Sequence, residues 1–384
     1  RTNTATLMTY GYNPLLSRWS PFHGAVYAIV EALAKITAMG GDYRRVRLTL
    51  QEYFEKLGKD PNRWGKPFSA LMGAYYAQTR LGIPAIGGKD SMSGTFKDMD
   101  VPPTLVAFAV CAENAANLIS PEFKEAGNRV VLLPLKRDEN SLPDFDELDK
   151  NYSRVYQLVK EGRILSAAAV KAGGIAEAVS EMCFGNMLGF TFTGKVEAGK
   201  VFTADYGSLV LELAKGEEPE KLFEGLIFKE LGITTDEGII RAENMEISLT
   251  EALDRWEKPL EKIFPTRVED SNGKIKSVVY TGGVKKAHSS LSAAKPRVFI
   301  PVFPGTNCEY DTAAAFEKAG GIVDILVIRN LSPRDIEESI QMMAKKIDEA
   351  QIVALPGGFS AGDEPDGSGK FIATVFRNPL IKES

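Results

Sequence analysis

Apolar residues recur at helical spacing in the first part of the chain. Residues 25–35 are apolar on almost all faces of a helix, which is typical of a helix buried on every side. A second helix is predicted near residues 67–81, and a glycine-rich turn follows it at Gly87 and Gly88. The run at residues 104–110 is apolar throughout, which predicts a buried strand.

The middle of the chain shows shorter apolar runs separated by polar stretches. Runs at residues 128–134 and 208–213 predict buried strands, and residues 175–184 predict a helix between them. Residues 285–296 are polar and rich in Ser, Lys and Ala, as is typical of a linker.

The last part of the chain alternates strand and helix patterns. Strands are predicted at residues 297–303, 322–328 and 352–355, and helices at residues 311–320 and 333–348. Such alternation indicates a parallel sheet with right-handed crossovers. Ligands of these sheets bind beyond the carboxyl ends of the strands, where this chain carries residues 304–308 and 356–360.

Length, charge and cysteine content limit which classes of protein are expected. A chain of 384 residues is too long for one compact core, and two to three domains are expected. A net charge of −5 argues against a nucleic-acid or membrane partner. Three widely spaced cysteines and two histidines make a disulfide framework or a zinc site a poor expectation. The sequence has no apolar run as long as the ~20 residues of a membrane-spanning helix, and no signal peptide is recognisable. We therefore expect a cytoplasmic protein.

The glycine-rich turn is the first candidate for chemistry. Paired glycines let the backbone approach a ligand closely and direct N–H groups at an anion. Lys89 adds a positive charge, Asp90 can hold a cation or a ligand hydroxyl, and Ser91 adds a donor. The spacing of a Walker loop is absent. On spacing alone, a polar hairpin between two strands explains the segment equally well.

Several segments of the chain resemble, in the same order, segments of one known family. Residues 88–93 (GKDSMS) resemble the signature of the large phosphoribosylformylglycinamidine synthases. Residues 31–35 resemble the metal-site helix of that family, and residues 173–178 resemble its Gly-Gly helix element. Residues 304–308 and 357–363 resemble the opening of its glutaminase domain. The shared order over nearly the whole chain makes the resemblance specific.

The resemblance implies a multidomain architecture of α/β and α+β type. It assigns residues 1–115 to the family's second aminoimidazole-ribonucleotide-synthetase-like ATP-binding domain and residues 116–284 to its C-terminal partner domain. It makes residues 285–296 a linker and residues 297–384 the start of a class I glutaminase with a flavodoxin-like parallel sheet. The family's first unit, with its catalytic histidine and much of its ATP contact, is expected upstream.

The resemblance also implies a carbon–nitrogen ligase of purine biosynthesis. In the family, ATP phosphorylates the formamide oxygen of formylglycinamide ribonucleotide, and ammonia from glutamine then displaces phosphate to give the amidine. Such chemistry requires Mg²⁺ and donors that position phosphate oxygens. The implied cofactors are ATP and Mg²⁺, and the implied partners are formylglycinamide ribonucleotide, glutamine and the upstream domains. By the same resemblance, Ser91 contacts substrate, and Gly88, Lys89 and Asp90 contact nucleotide.

An auxiliary nucleotide site of the family is altered in this sequence. In relatives that bind a second, structural nucleotide, a glutamate at the position of Glu31 and an asparagine four residues later bind Mg²⁺. Here Lys35 replaces that asparagine, and the segment 169–174, with Lys171, replaces an acidic Asp-x-Ser-Asp-Gly-Gly motif. A protonated lysine cannot bind Mg²⁺. We therefore expect Glu31 to be the one retained ligand of a site that has lost its metal and that has either no nucleotide or lysine–phosphate contacts. The alternative is an ordinary Glu–Lys pair one turn apart.

Cys308 follows a predicted strand and precedes a helix, which is a favourable place for an activated thiol. No histidine lies near it in the sequence. By resemblance, the glutaminase nucleophile lies on a later strand–turn–helix elbow, beyond Ser384. We therefore expect a structural role for Cys308, oxyanion-hole backbone at Gly357 and Gly358, and no complete catalytic set in this chain, which alone should be inactive.

Three functions remain open from the sequence. The first is an ATP-dependent ligase that uses glutamine, of which this chain is one part. The second is a non-catalytic nucleotide-binding or structural half that supports an active site on another domain. The third, a stand-alone relative such as a selenophosphate or thiamine-phosphate enzyme, is disfavoured by the appended start of a glutaminase. Of these three, we predict the first, an ATP-dependent ligase that uses glutamine.

Overall fold

The computed structural model describes residues 3–194, 196–243, 245–267, 295–358 and 368–384. The chain divides into two compact units, unit 1 at Arg1–Glu269 and unit 2 at Asp270–Ser384.

The first half of unit 1 is built around a four-stranded sheet. Its elements are β1 (Thr4–Gly11), α1 (Pro14–Trp19), α2 (Pro21–Ala38), β2 (Arg47–Tyr53), α3 (Pro61–Leu81), β3 (Ala85–Lys89), β4 (Thr95–Phe96), β5 (Met99–Asp100) and β6 (Thr104–Asn114). The strand order is β1-β6-β2-β3, with β6 antiparallel to β1 and β2, and β2 parallel to β3. Strands β4 and β5 form a separate small hairpin.

Helix α2 is buried on nearly all of its faces. It begins at Pro21, after Ser20 accepts the His23 N–H as the N-cap, an arrangement that satisfies a free donor of the first turn. Ile29, Val30 and Leu33 are fully buried in the main hydrophobic core. The same core includes residues of the four-stranded sheet and of the second half of unit 1. The prediction of an all-round buried helix is confirmed.

The second half of unit 1 contains a seven-stranded mixed sheet. Its elements are β7 (Arg129–Leu133), α4 (Phe145–Lys160), β8 (Ile164–Ala169), α5 (Gly174–Phe184), β9 (Gly189–Phe192), α6 (Ala198–Val201), β10 (Leu209–Leu213), α7 (Pro219–Leu222), β11 (Lys229–Thr235), β12 (Ile239–Ala242), β13 (Met245–Ser248) and α8 (Leu249–Glu257). The strand order is β13-β12-β9-β11-β7-β10-β8, antiparallel throughout except for the pair β12–β9.

Alternate residues of this sheet enter different cores. Val131 and Leu133 of β7 lie in the core shared with α2 and α4, whereas Val130 and Leu132 lie in a second core with α5. This is the two-residue period of a strand covered on both faces. The strand at residues 128–134 and the helix at residues 175–184 are therefore found where the sequence predicts them. The proposed division between residues 115 and 116 falls inside this unit and stays a prediction.

Unit 2 is a parallel α/β structure. Its elements are β14 (Arg297–Val302), α9 (Glu309–Lys318), β15 (Ile322–Val327), α10 (Pro333–Glu349), β16 (Ile352–Val353), α11 (Ser368–Phe376) and α12 (Pro379–Glu383). The strand order is β15-β14-β16, and both pairs are parallel. Alternate residues of β14 face different sides, with Val298 and Ile300 in one core and Phe299 in another. The predicted strand–helix alternation and parallel sheet are confirmed.

One burial prediction is wrong. Residues 104–110 do form a strand, but only alternate residues of β6 are buried, such as Ala107 and Ala109, while Val106, Phe108 and Val110 remain half-exposed. The reason is that α2 packs against one face of the sheet. Residues 268–294 lie outside the described part of the chain, and with them most of the proposed linker.

Candidate functional site

The glycine-rich turn continues an edge strand of the four-stranded sheet. Gly87 and Gly88 belong to β3, where Gly88 lies opposite Leu50 of β2. A Cβ atom on Gly88 would lie 2.3 Å from the Leu50 carbonyl oxygen, whereas a Cβ atom on Gly87 would have no heavy atom within 4 Å. Gly88 is therefore required by the close approach of two strands. Strand β3 pairs with β2, and the next strand, β4, pairs with β5, so in the described part of the chain the segment is not a hairpin between β3 and the strand that follows it.

Ser91 is fixed by the backbone of the neighbouring segment. Its N–H donates to the Glu52 carbonyl oxygen at 3.1 Å, and its own carbonyl accepts the Phe54 N–H at 2.9 Å. The side chain is 7% exposed, and its hydroxyl shares a 2.8 Å hydrogen bond with Ser93. Ser91 thus holds one defined position directly after the strand, whereas Lys89 and Asp90 before it are exposed.

Glu52 is a titratable residue that the sequence did not single out. Burial, and secondarily the negative charge of Asp90, raise the pKa of Glu52 to about 6. A carboxyl group that titrates near neutrality beside a glycine-rich turn is a common feature of functional sites. No signal in the local sequence marks this residue, because the effect depends on the pairing of β2 with β3.

Lys89 lies on the open face of the four-stranded sheet. Pairing places Lys89 opposite Gln51, and Gln51 opposite Val106 of β6, so these residues share a face. Tyr10 and Phe108 lie opposite each other on that face, with ring centroids 6.4 Å apart. The predicted nucleotide contact is thus adjacent to a partly apolar surface.

Glu31 and Lys35 form an ion pair at the opposite edge of the same sheet. The Lys35 Nζ lies 2.7 Å from Glu31 Oε1, donates to the Tyr10 carbonyl oxygen at 2.8 Å, and lies 4.6 Å from the centroid of the Tyr10 ring. Glu31 is 6% exposed, so the pair is not an ordinary surface pair. Tyr10 belongs to β1 and Gly88 to β3, the two edges of the sheet, so the structure does not unite Glu31 with the glycine-rich turn.

Lys171 is held by two carboxylates of α5. Its Nζ lies 3.0 Å from Glu177 Oε1 and 2.9 Å from Glu181 Oε2. The second oxygen of Glu177 accepts the Gly173 N–H at 2.6 Å. Gly174 has a φ of +70°, and a Cβ atom on it would lie 2.5 Å from the carbonyl oxygens of Val201 and Thr203, at and just after the end of α6. The Gly-Gly element therefore starts α5 through a turn that only glycine adopts easily.

The two ion-pair groups act on the same tyrosine. Burial, followed by the charge of Glu31, raises the pKa of Tyr206 to about 12, with Glu177 raising it and Lys171 lowering it. The Tyr206 hydroxyl accepts a 2.5 Å hydrogen bond from Asn13 Nδ2. The Asp205 N–H, next to Tyr206, donates to the Lys171 carbonyl oxygen at 3.3 Å. Hydrogen bonds of residues 205–206 therefore link the segment after β1 to the segment that carries Lys171.

This arrangement does not fit a divalent cation. Mg²⁺ prefers several oxygen ligands, but a lysine ammonium already contacts the Glu31 carboxylate, and another contacts Glu177 and Glu181. Among the described residues, no three His, Cys, Asp or Glu side chains are grouped so that they could hold a metal ion. The assignment of Glu31 as a metal ligand stays a prediction without support from this geometry.

Two loops of unit 2 meet at the carboxyl ends of its strands. Asn307 donates its N–H to the Gly357 carbonyl oxygen at 3.1 Å, and Thr306 pairs with Gly358 in an antiparallel bridge. A Cβ atom on Gly358 would lie 2.4 Å from the Gly305 carbonyl oxygen. The oxyanion-hole candidates thus lie on a tightly packed turn, while residues 359–367 are outside the described part of the chain.

Cys308 is the N-cap residue of α9. Its thiol lies 3.3 Å from Asn307 Oδ1, and a Cβ atom on Gly357 would lie 3.5 Å from its sulfur. His23, in unit 1, contacts the Ser20 hydroxyl at 2.8 Å and the Asn140 carbonyl at 2.9 Å. These contacts account for both ring nitrogens of His23. A structural role for Cys308 stays a prediction.

Within the described ranges, every helix falls short of the length and apolar character needed to cross a bilayer.

Comparisons with known proteins first indicate which fold and which domain family the chain resembles. Residues 295–384 match the family described as a CobB/CobQ-like glutamine amidotransferase domain. The chain is similar in fold to solved structures of PurL from Thermotoga maritima. One of them, "Structure of PurLQS from Thermotoga maritima", has a TM-score of 0.51 and 16% sequence identity, and the match covers 64% of this chain and 44% of that one. The chain therefore combines a PurL-like fold with a segment that matches a glutamine amidotransferase domain.

Two curated relatives with matching sequences are subunits of one enzyme. The chain is 26% identical over 293 residues to phosphoribosylformylglycinamidine synthase subunit PurL of Thermoplasma acidophilum. It is 38% identical over 88 residues to subunit PurQ of the same enzyme in Methanococcus maripaludis. These matches support a phosphoribosylformylglycinamidine synthase, and the resemblance and fold class predicted from the sequence motifs are confirmed.

The matches cover only part of each relative. They extend over 67% of this chain and 37% of the Thermoplasma protein, and over 23% of this chain and 29% of the Methanococcus protein. Solved structures of Thermotoga maritima PurL are complexes with ATP, with ADP and with FGAR. At 15–16% identity these structures establish the fold of this chain and not its ligands.

Proposed function

We propose that this chain is part of an ATP-dependent ligase of purine biosynthesis. The reaction converts formylglycinamide ribonucleotide, glutamine and ATP to formylglycinamidine ribonucleotide, glutamate, ADP and phosphate. The observation that carries the proposal is the presence, in one chain, of a PurL-like part and a glutamine amidotransferase part that resembles PurQ. In this proposal the PurL-like part contributes to the ATP-dependent reaction, and the PurQ-like part belongs to the domain that releases ammonia from glutamine.

The glycine-rich turn is the best candidate for a catalytic contribution from unit 1. Gly88 brings β3 unusually close to β2, and Ser91 is held by two backbone hydrogen bonds. A preorganised backbone of this kind can position phosphate oxygens without reorganisation during the reaction. In the proposal, Ser91 contacts the substrate, and Gly88, Lys89 and Asp90 contact the nucleotide.

The open face of the four-stranded sheet supports a site that is completed by another domain. Met8 is 69% exposed and Tyr10 is 58% exposed, and Lys89 shares this face by strand pairing. Exposed apolar surface of this kind commonly marks an interaction site. The proposed occupant is the upstream unit of the same enzyme, so that the active site lies at the interface.

Mg²⁺ belongs to the proposed reaction as the ion that neutralises phosphate oxygens. Asp90 is the residue of the glycine-rich turn that could contact such an ion, because its carboxylate is exposed at the end of β3. The proposed location is the cytoplasm, as for other enzymes of nucleotide synthesis that act on soluble substrates.

A second function is favoured by the ion pairs of Lys35 and Lys171. These pairs close a region that relatives use for a structural nucleotide, which suits a half that supports an active site elsewhere without taking part in chemistry. The two functions differ in what Ser91 and Lys89 do.

Substitution in an enzyme that includes the upstream unit distinguishes the two. Ser91→Ala and Lys89→Met are assayed for ammonia-dependent amidine formation and for thermal stability, with Lys221→Met as the control. Lys221 is an exposed lysine on α7. A catalytic contribution predicts a loss of turnover of at least about tenfold with unchanged melting temperature for Ser91→Ala, since one lost transition-state contact has that order of effect. Unchanged turnover in both variants would favour the supporting role.

A further inference from the structure

Two lysines of unit 1 occupy positions where an ion-binding site requires oxygen ligands. Lys35 contacts the buried carboxylate of Glu31 at 2.7 Å and also a backbone carbonyl, that of Tyr10, at 2.8 Å. Its ammonium therefore makes the same kind of contacts to carboxylate and carbonyl oxygens that a bound cation makes. The flexible side chain brings the charge to the site from one turn away on the same helix.

Lys171 makes an equivalent arrangement from the second half of unit 1. Two carboxylates, those of Glu177 and Glu181, contact its Nζ at 3.0 and 2.9 Å. The other oxygen of Glu177 accepts the Gly173 N–H at the start of α5. A backbone N–H at the start of a helix is a donor that commonly binds a phosphate oxygen. Here the protein's own carboxylate accepts it.

The two groups belong to one region. Glu31, Glu177 and Lys171 all influence the pKa of Tyr206 through their charges. Gly11, next to Tyr10, approaches α2 so closely that a Cβ atom on it would lie 2.9 Å from the Cβ of Glu31. Asn13 donates to the Tyr206 hydroxyl, and the neighbouring Asp205 N–H donates to the Lys171 carbonyl oxygen at 3.3 Å. Residues 205–206 therefore link the end of β1 to the segment that precedes α5.

We propose that Lys35 and Lys171 are built-in cations that replace a divalent ion, and that Glu177 replaces a phosphate group. In consequence, unit 1 is stabilised in this region by its own ion pairs and binds no structural nucleotide there. The inference concerns folding stability, so it does not rest on the proposed ligase function. Its test uses no measurement of activity, and the failure of one proposal is distinguishable from that of the other.

The critical variant is Lys35→Met, which keeps the length of the side chain and removes its charge. Loss of one partner leaves the buried Glu31 carboxylate without its cation, which is costly in a site of low exposure. For a unit of this size we expect the melting temperature to fall by about 5–10 °C. The double variant Glu31→Gln/Lys35→Met removes the unpaired charge and should recover at least half of the loss.

Lys258→Met is the matched control. Lys258 pairs with Asp254 at the same four-residue spacing, but both side chains are more than half exposed, at 67% and 55%. Exposed pairs contribute little to stability, so the melting temperature should change by no more than about 1–2 °C. The fall in melting temperature of Lys171→Met should lie between those of Lys35→Met and Lys258→Met, because Lys171 and its partners are partly exposed.

The unsubstituted chain is tested for metal and nucleotide in the same experiment. Its melting temperature should be the same after dialysis against EDTA, and denaturation should release no stoichiometric ADP or Mg²⁺. Release of either that the variant Asp90→Asn retains, or a fall in the melting temperature of that variant with EDTA, would overturn the proposal, because Asp90→Asn lacks the carboxylate proposed to contact Mg²⁺ at the glycine-rich turn. So would a Lys35→Met variant no less stable than Lys258→Met, or a double variant that recovers nothing.

Discussion

The N–H of Ser91 donates to the carbonyl oxygen of Glu52 at 3.1 Å. This bond extends the parallel pairing of β2 and β3 past the end of β3, and it places the glycine-rich turn beside a carboxyl group of raised pKa. The position of Ser91 and the protonation of Glu52 therefore depend on the same pair of strands. A substitution in β3 should therefore change the pKa of Glu52 in β2, and a substitution in β2 should change the position of Ser91.

Glu52→Gln should stabilise the protein at neutral pH and have no effect in acid. Burial and Asp90 raise the pKa of Glu52 from 4.5 to about 6, so the folded state holds the proton more tightly than the unfolded state. The stability linked to this proton is complete below about pH 4.5 and is lost as pH rises through about 6. Removing the charge should add about 1 kcal/mol to the free energy of unfolding at pH 7, about half of what the full shift would give, because Glu52 is partly exposed and solvent screens its charge. Denaturant unfolding at pH 4 and pH 7 measures this difference.

The exposed Glu224→Gln serves as the control for Glu52→Gln, and its effect should be small at both pH values. Asp90→Asn should lower the pKa of Glu52 and recover part of the stability at pH 7, since its charge contributes to the shift. A Glu52→Gln variant that is equally destabilised at both pH values would show that the carboxylate is needed in its charged form.

Gly88→Ala and Gly87→Ala should differ in stability although they are neighbours. A Cβ on Gly88 would lie 2.3 Å from the Leu50 carbonyl oxygen, and a Cβ on Gly87 would meet nothing within 4 Å. Because backbone cannot move aside as a side chain can, Gly88→Ala should cost about 1–3 kcal/mol. Equilibrium unfolding of the two variants provides the comparison. Equal stabilities would mean that β2 and β3 are not paired as described.

Glu212 should be essential for the stability of unit 1. Its carboxylate is fully buried and accepts hydrogen bonds from two backbone N–H groups and two side chains, those of Lys124, Glu125, Asn128 and Ser166. Glu212→Leu leaves these donors without an acceptor and should cost about 3–5 kcal/mol. Glu212→Gln keeps one acceptor oxygen and should cost less. Urea unfolding of both variants tests the order, and a neutral Glu212→Leu would contradict it.

Cys308→Ala should leave glutamine-dependent activity unchanged in an enzyme that contains the complete glutaminase. The reason is that the thiol contacts Asn307 and lies beside Gly357, and the described residues of unit 2 include no histidine. Gly358→Ala should reduce that activity, because its Cβ would lie 2.4 Å from the Gly305 carbonyl oxygen and open the turn. Steady-state release of glutamate measures both. Complete loss in Cys308→Ala would identify that cysteine as the nucleophile.

Elements with a strong apolar pattern could be predicted from the sequence. Helix α2 is apolar on all faces because sheet and helices surround it, and β14 is a continuous apolar run because helices cover both of its faces. The burial of β6 was overestimated, since an apolar run does not show which face another element covers. Phe108 is half-exposed for this reason.

The chemistry of the sites could be predicted only in part. The matching segments, taken in their order along the chain, predicted the family resemblance, but the raised pKa of Glu52 depends on a strand pairing that no local pattern encodes. The resemblance implied that Lys35 stands where relatives carry a metal ligand. It did not show that its ammonium contacts Tyr10 of a separate strand, or that Glu177 folds back onto the start of its own helix.

The most direct test of the account is amidine formation by an enzyme in which this chain is combined with the upstream unit. Formylglycinamide ribonucleotide, ATP, Mg²⁺ and ammonium are supplied, and the nucleotide product and phosphate are quantified. The account predicts formylglycinamidine ribonucleotide and phosphate in equal amounts, and neither from this chain alone. Phosphate release without amidine, or robust amidine formation by this chain alone, would contradict it.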